Sequence, residues 1–139
     1  GPGTGKSVIA LNLMAYLSLE GFNTHYSTGS KAFTETLRKI VGPRGATQLK
    51  YFNSYIDAPF NSLDVLIADE AHRIRKTSNH RFMRADQKSN KLQIEELINT
   101  AKVPVFLIDD DQIVRPNEIG SVDLIKQYAK TLSCEIFEY

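Results

Sequence analysis

From Val8 to Leu17 the chain reads Val-Ile-Ala-Leu-Asn-Leu-Met-Ala-Tyr-Leu, an apolar run interrupted by Asn12, and it predicts an apolar helix starting near Lys6. Gly21-Phe22-Asn23 stops that pattern, and Thr24-His25-Tyr26-Ser27 reads as a short strand. Thr28-Gly29-Ser30 then turns into a helix from Lys31 to about Val41, closed by Gly42-Pro43. A loop from Arg44 to Gln48 leads to the aromatic run Leu49-Lys50-Tyr51-Phe52-Asn53, expected to be strand. Two further apolar runs, Asp64 to Ala68 and Val103 to Ile108, have the length of buried strands. Helices are expected at about Leu92 to Ala101 and Val122 to Leu132, and a last strand at Glu135 to Phe137. Continuous apolar strands separated by helices point to an α/β fold whose parallel sheet is covered on both faces. Ligands of such sheets gather at the carboxyl ends of the strands.

The sharp polar motifs sit where that rule puts them. Ahead of the first helix stands Gly1-Pro2-Gly3-Thr4-Gly5-Lys6-Ser7, the last seven positions of the phosphate-binding pattern G-x-x-x-x-G-K-[ST]. Gly3, Thr4 and Gly5 let backbone N–H groups turn inward around an anion, and the helix that follows adds the positive end of its dipole. Lys6 can reach the β- and γ-phosphates, and the Ser7 hydroxyl is the expected Mg²⁺ ligand. The competing reading is a Gly/Pro-rich tail that happens to precede a helix. The pattern starts at its second position, so the chain is expected to be a partial P-loop NTPase domain, truncated before the phosphate loop and lacking its feeding strand.

Asp69-Glu70 ends the strand Leu66-Ile67-Ala68. Phosphate hydrolysis needs one carboxylate to hold Mg²⁺ and another to orient and deprotonate the attacking water, roles that suit Asp69 and Glu70. A helix start decorated with acids has the same composition. After the next strand comes Asp109-Asp110-Asp111-Gln112, where Gln112 can bond the γ-phosphate or the lytic water. A calcium loop is the alternative, but the glycine and glutamate of the EF-hand pattern are absent.

Composition narrows the picture. With 139 residues there is room for one domain, residues 1–139, and the net charge of +1 announces no nucleic-acid partner. Its distribution says more, because Arg73 to Lys91 holds seven basic residues against the single acid Asp86. This stretch is expected to be loop or partly disordered, either a solvated surface or a nucleic-acid contact. Cys134 is the only cysteine, which excludes an intrachain disulfide and fits a reducing, cytoplasmic setting. No segment approaches the roughly 20 apolar residues of a membrane span, so no membrane partner is expected.

Taken together, Gly1 to Ser7, Asp69-Glu70-Ala71-His72-Arg73, and Ile108-Asp109-Asp110-Asp111-Gln112 continuing through Arg115-Pro116-Asn117-Glu118-Ile119-Gly120-Ser121 resemble the Schlafen group-3-like DNA/RNA helicase domain, a branch of superfamily 1. The resemblance covers nearly the whole chain. It implies a RecA-like three-layer sandwich with a mainly parallel sheet, ATP and Mg²⁺ as cofactors, and a parent ATPase dependent on single-stranded DNA or RNA. Asp-Glu-Ala-His alone would suggest superfamily 2, but no Ser-Ala-Thr follows the next strand. Asp109-x-x-Gln112 instead resembles superfamily 1 motif III, with Ile108 in place of its glycine. Ser27-Thr28-Gly29-Ser30-Lys31-Ala32 resembles motif Ia, which touches nucleic-acid phosphates, although a helix-capping turn has the same composition.

In that superfamily a second RecA-like domain supplies the arginine that stabilises the transition state, and none is present in the chain. The isolated chain is therefore expected to bind nucleotide weakly and hydrolyse it slowly. A P-loop switch that controls a partner or a fused nuclease without translocation remains the alternative. Arg115 could couple the γ-phosphate sensor to nucleic acid. His72 could relay between sites or make a structural hydrogen bond, and Arg73 could meet a phosphate or a carboxylate such as Asp109. Tyr51, Phe52 and Tyr55 could form a stacking platform or pack in the core.

Overall fold

The computed structural model describes residues 4–79, 82–109 and 116–139. In chain order the main elements are α1 (Thr4–Leu19), β1 (Thr24–Thr28), α2 (Lys31–Ala46), β2 (Leu49–Tyr51), β3 (Leu63–Asp69), α3 (Gln93–Thr100), β4 (Ala101–Phe106) and α4 (Val122–Thr131). The four strands form one all-parallel sheet in the order β2-β1-β3-β4. β3, the most apolar strand, lies inside it, as a strand covered on both faces must.

Alternation along β3 divides the core. Val65 and Ile67 face α1 and α2 with Ala10, Met14, Tyr26, Leu37 and Leu49. Leu66 and Ala68 face the other way, with Phe52, Tyr55, Ile94, Leu97 and Ile98, and α4 packs against that cluster through Ile125 and Tyr128. The result is helix, sheet, helix. Strand period places Asp69 on the same face as Val65 and Ile67, the face that α1 covers.

Several boundaries differ from expectation for identifiable reasons. Gly42 takes φ 79° and breaks α2, but Pro43 restarts a helical turn that runs to Ala46, so the expected loop from Arg44 is helix. Ser30 caps this helix, its hydroxyl accepting the Phe33 N–H at 3.2 Å. β2 ends at Tyr51, and Phe52–Tyr55 wind into a 3-10 turn that buries Phe52 and Tyr55. β4 starts at Ala101, two residues before the expected strand, directly on the last residue of α3. The alternating tail Glu135 to Phe137 forms no strand.

The basic stretch is tied down rather than loose where it is described. Ser78, itself buried, donates to Glu96 Oε1 of α3 at 2.7 Å and accepts from Gln93 Nε2 at 3.0 Å. Gln93 Oε1 in turn accepts the Arg75 N–H at 2.9 Å. Asn79 and Ser89 exchange two hydrogen bonds of 2.9 Å across the loop. Two polar residues of α3 thus organise a segment that has little hydrophobic pattern of its own.

Burial pushes the Glu96 carboxyl above the ordinary value of 4.5, partly opposed by hydrogen bonds from Ser78 and Ser89 and by Lys91. A raised carboxyl favours folding while protonated; that contribution is complete below about pH 4.5 and is lost as pH rises through the higher folded value. Glu96→Gln, which stays neutral, is expected to gain stability relative to the wild type as pH rises through that window. Urea midpoints of both proteins across acid to neutral pH check this, and parallel curves would refute it.

Candidate nucleotide and nucleic-acid sites

Asp69 closes β3 and is 1% exposed. A carboxylate held that far from water must find donors in the protein. Ser7, in the first turn of α1, donates its hydroxyl to Oδ2 at 2.7 Å. Tyr26, at the middle of β1, donates to the same oxygen at 2.6 Å. The Glu70 N–H bonds Oδ1 at 2.9 Å. Burial and the Asp69 charge push the Tyr26 phenol far above its ordinary range, so it stays a donor at every working pH.

Glu70 follows with φ 52° and ψ 51°, left-handed backbone that costs a non-glycine residue about 1 kcal/mol. That turn swings the chain out of the sheet. The Glu70 carboxylate pairs with Arg73, its Oε2 lying 2.9 Å from Nε. Arg73 thus meets a carboxylate, that of Glu70.

Lys6 lies one position before Ser7 and donates to the Ile108 carbonyl at 2.8 Å, just past β4. Pairing between the ends of β3 and β4 continues beyond the strands, from Leu107 N–H to the Ala68 carbonyl and from Ala71 N–H to the Leu107 carbonyl, each 2.9 Å. Lys6, Ser7, Asp69 and Glu70 are thus brought together at the carboxyl edge of the sheet. Gly5 shares the first turn of α1 with Lys6 and Ser7, and Thr4 opens the helix. Gly3, Gln112 and Arg115 lie outside the described residues.

Ser7 and Asp69 form an all-oxygen donor set, the hard set that suits Mg²⁺. Among the described residues no three His, Cys, Asp or Glu side chains gather round one point. A metal here would complete its shell with water and phosphate, as Mg²⁺ commonly does.

A concavity of about 180 Å³ lies on the far side of Arg73, the residue paired with Glu70. Its walls include Lys31, Arg73, Arg75, Tyr51 and Asn53, with Gly29 at its edge. Gly29 allows the close approach: a Cβ there would lie 2.8 Å from Arg73 Cβ. Lys31 and Arg75 are exposed, and Arg38 stacks over the Tyr51 ring at 5.1 Å. Of the three aromatic residues considered for stacking, Tyr51 and Phe52 both line the cleft, but Tyr51 is partly exposed whereas Phe52, like Tyr55, is buried in the core.

His72 is 7% exposed, and its Nδ1 has no hydrogen-bond partner among the described residues. His25 Nδ1 lies 3.0 Å from the Tyr55 hydroxyl. Sequence reasoning missed Tyr26 as a partner of Asp69, and the only hint was a phenol in an otherwise apolar-facing strand position. It named Gly120 only as part of the family motif and did not read its packing against Ala71. The segment after β4 returns to the segment after β3, with Ile119 N–H on the Ile74 carbonyl at 2.7 Å and an antiparallel bridge between Arg75 and Glu118.

Fold and cluster together define an α/β protein with a four-stranded parallel sheet and a polar site at its strand ends. The chain belongs to the Schlafen group 3 DNA/RNA helicase domain family, whose family model matches residues 1–139. No curated protein and no solved structure gives a match.

The stitch at Gly120 has a direct test. A Cβ there would sit 1.9 Å from the Ala71 carbonyl oxygen, so the segment must move away. Gly120→Ala is expected to cost about 3 kcal/mol of stability, read from urea unfolding. A loss too small to measure would show that the two segments are not packed as described.

Proposed function

We propose that this chain is a RecA-like P-loop ATPase domain that binds and hydrolyses ATP with Mg²⁺ as part of a nucleic-acid-dependent, helicase-like protein. The observation that carries the reading is the convergence of Lys6, Ser7, Asp69 and Glu70, from elements far apart in sequence, at the carboxyl ends of a parallel sheet. Ser7 and Asp69 hold the cation, Asp69 through a carboxylate already fixed by three hydrogen bonds. The Lys6 ammonium, placed beside the strand ends, meets the β- and γ-phosphates. Mg²⁺, when bound, neutralises charge that develops on the phosphate oxygens. Glu70 orients and deprotonates water, and Gln112 follows the γ-phosphate. A second RecA-like domain is the partner this reading calls for.

The cleft lined by Lys31, Arg73, Arg75 and Tyr51 fits single-stranded DNA or RNA, with cations for phosphate and an aromatic face for a base. Arg73 belongs to both regions: it pairs with Glu70 and lines the cleft. It is a side-chain route by which nucleic acid can influence hydrolysis.

Glu70→Gln in the intact protein is expected to lower ATP hydrolysis roughly 10²- to 10⁴-fold while nucleotide binding persists. Lys6→Ala is expected to abolish binding itself. Unchanged hydrolysis in Glu70→Gln would overturn the assignment of the base. The paired charge reversal Lys31→Glu with Arg75→Glu is expected to remove stimulation by single-stranded DNA and RNA and leave basal hydrolysis in place. Stimulation that survives would place the nucleic-acid path elsewhere.

A further inference from the structure

We propose that Tyr26 is a positioning residue that holds Asp69 in its metal-binding orientation from inside the core of the sheet. The inference rests on the reading of Ser7 and Asp69 as a magnesium-nucleotide site.

Tyr26 is 0% exposed and lies opposite Leu49 of β2 and Ile67 of β3. Its buried neighbours in the cluster are Ala10, Met14, Leu37, Leu49, Val65 and Ile67, all apolar. Packing alone would accept a phenylalanine here, and burying a phenol without a partner is costly. The hydroxyl is explained by what it reaches. Strand register sets Tyr26 two residues before Thr28, the partner of Asp69, and the ring spans that distance along the face that α1 covers. Its oxygen ends 2.6 Å from Asp69 Oδ2, the short distance expected of a hydroxyl on an ionised carboxylate.

Ser7 donates to the same Oδ2, but the two hydroxyls are not equivalent. Ser7 is a short rotor on a partly buried helix turn, and a serine that serves as a metal ligand must direct its oxygen lone pair at the cation. Tyr26 carries its hydroxyl on a ring fixed by packing on every side. It keeps Asp69 oriented whichever way Ser7 turns. Partners of this kind, one step behind a metal ligand, set how well the ligand is presented.

The test is Tyr26→Phe in the intact protein, with binding of a fluorescent ADP analogue followed as Mg²⁺ is titrated. The Mg²⁺ midpoint is expected to rise roughly tenfold, with metal-free nucleotide affinity in EDTA nearly unchanged and thermal unfolding lowered only by the few degrees that one lost hydrogen bond costs. An unmoved midpoint overturns the proposal, and so does an equal loss of affinity in EDTA, the sign of a general packing role. A second readout keeps the packing intact: 3-fluorotyrosine at position 26 should give a fluorine resonance that moves when Mg²⁺ joins bound nucleotide. A resonance that stays in place overturns the proposal even if the phenylalanine variant does not fold. Wild-type protein that binds no magnesium-nucleotide overturns the underlying site reading itself, and that result appears before any variant is made.

Discussion

The need to solvate one buried carboxylate governs the strand-end region. Asp69 sits at the end of the most apolar strand, almost wholly out of water, and three donors make that placement tolerable. Each comes from a different place: the first turn of α1, the middle of β1, and the backbone of the following residue. The helix cannot slide along the sheet, nor β1 shift against β3, without stripping a hydrogen bond from this ion. Core packing and site geometry are therefore enforced by the same contacts.

A second set of constraints binds the chain after β3 to the chain after β4. Leu107 bridges the backbone of Ala68 and Ala71, and Ile119 reaches Ile74. Gly120 lies where any side chain would strike the Ala71 carbonyl. The residues flanking Asp69 and Glu70 and those beyond β4 thus share one backbone network. A displacement at either strand end is transmitted to the other through hydrogen bonds rather than through a loose loop.

Much of this could be seen in the sequence, and the parts that could not have physical reasons. Apolar runs located β3 and β4 and put Asp69 and Glu70 at a strand end, while β1 and β2, which carry polar residues, were legible from β-branched and aromatic residues set between turns. The family was legible in the motifs that follow those strands. The tail from Glu135 to Phe137 has the alternation of a strand, but alternation supplies no neighbour to bond with. The helical turn after Pro43 was hidden because Gly42-Pro43 is both a stop and a start. Order in the basic stretch depends on Gln93 and Glu96, polar side chains whose burial no local pattern announces. Tyr26 escaped notice for the same reason: its partner is 43 residues away.

Glu70 shows how folding and chemistry can pull one position in opposite directions. Its left-handed backbone would suit glycine or asparagine better, and either would relieve strain that glutamate bears. Fold stability alone favours glycine or asparagine at this position, and the proposed role of the carboxylate in hydrolysis accounts for a glutamate there. In related chains the identity of this one residue becomes a marker. A member with glycine here and the rest of the sheet intact would keep the architecture and, on the proposed reading, lose its general base.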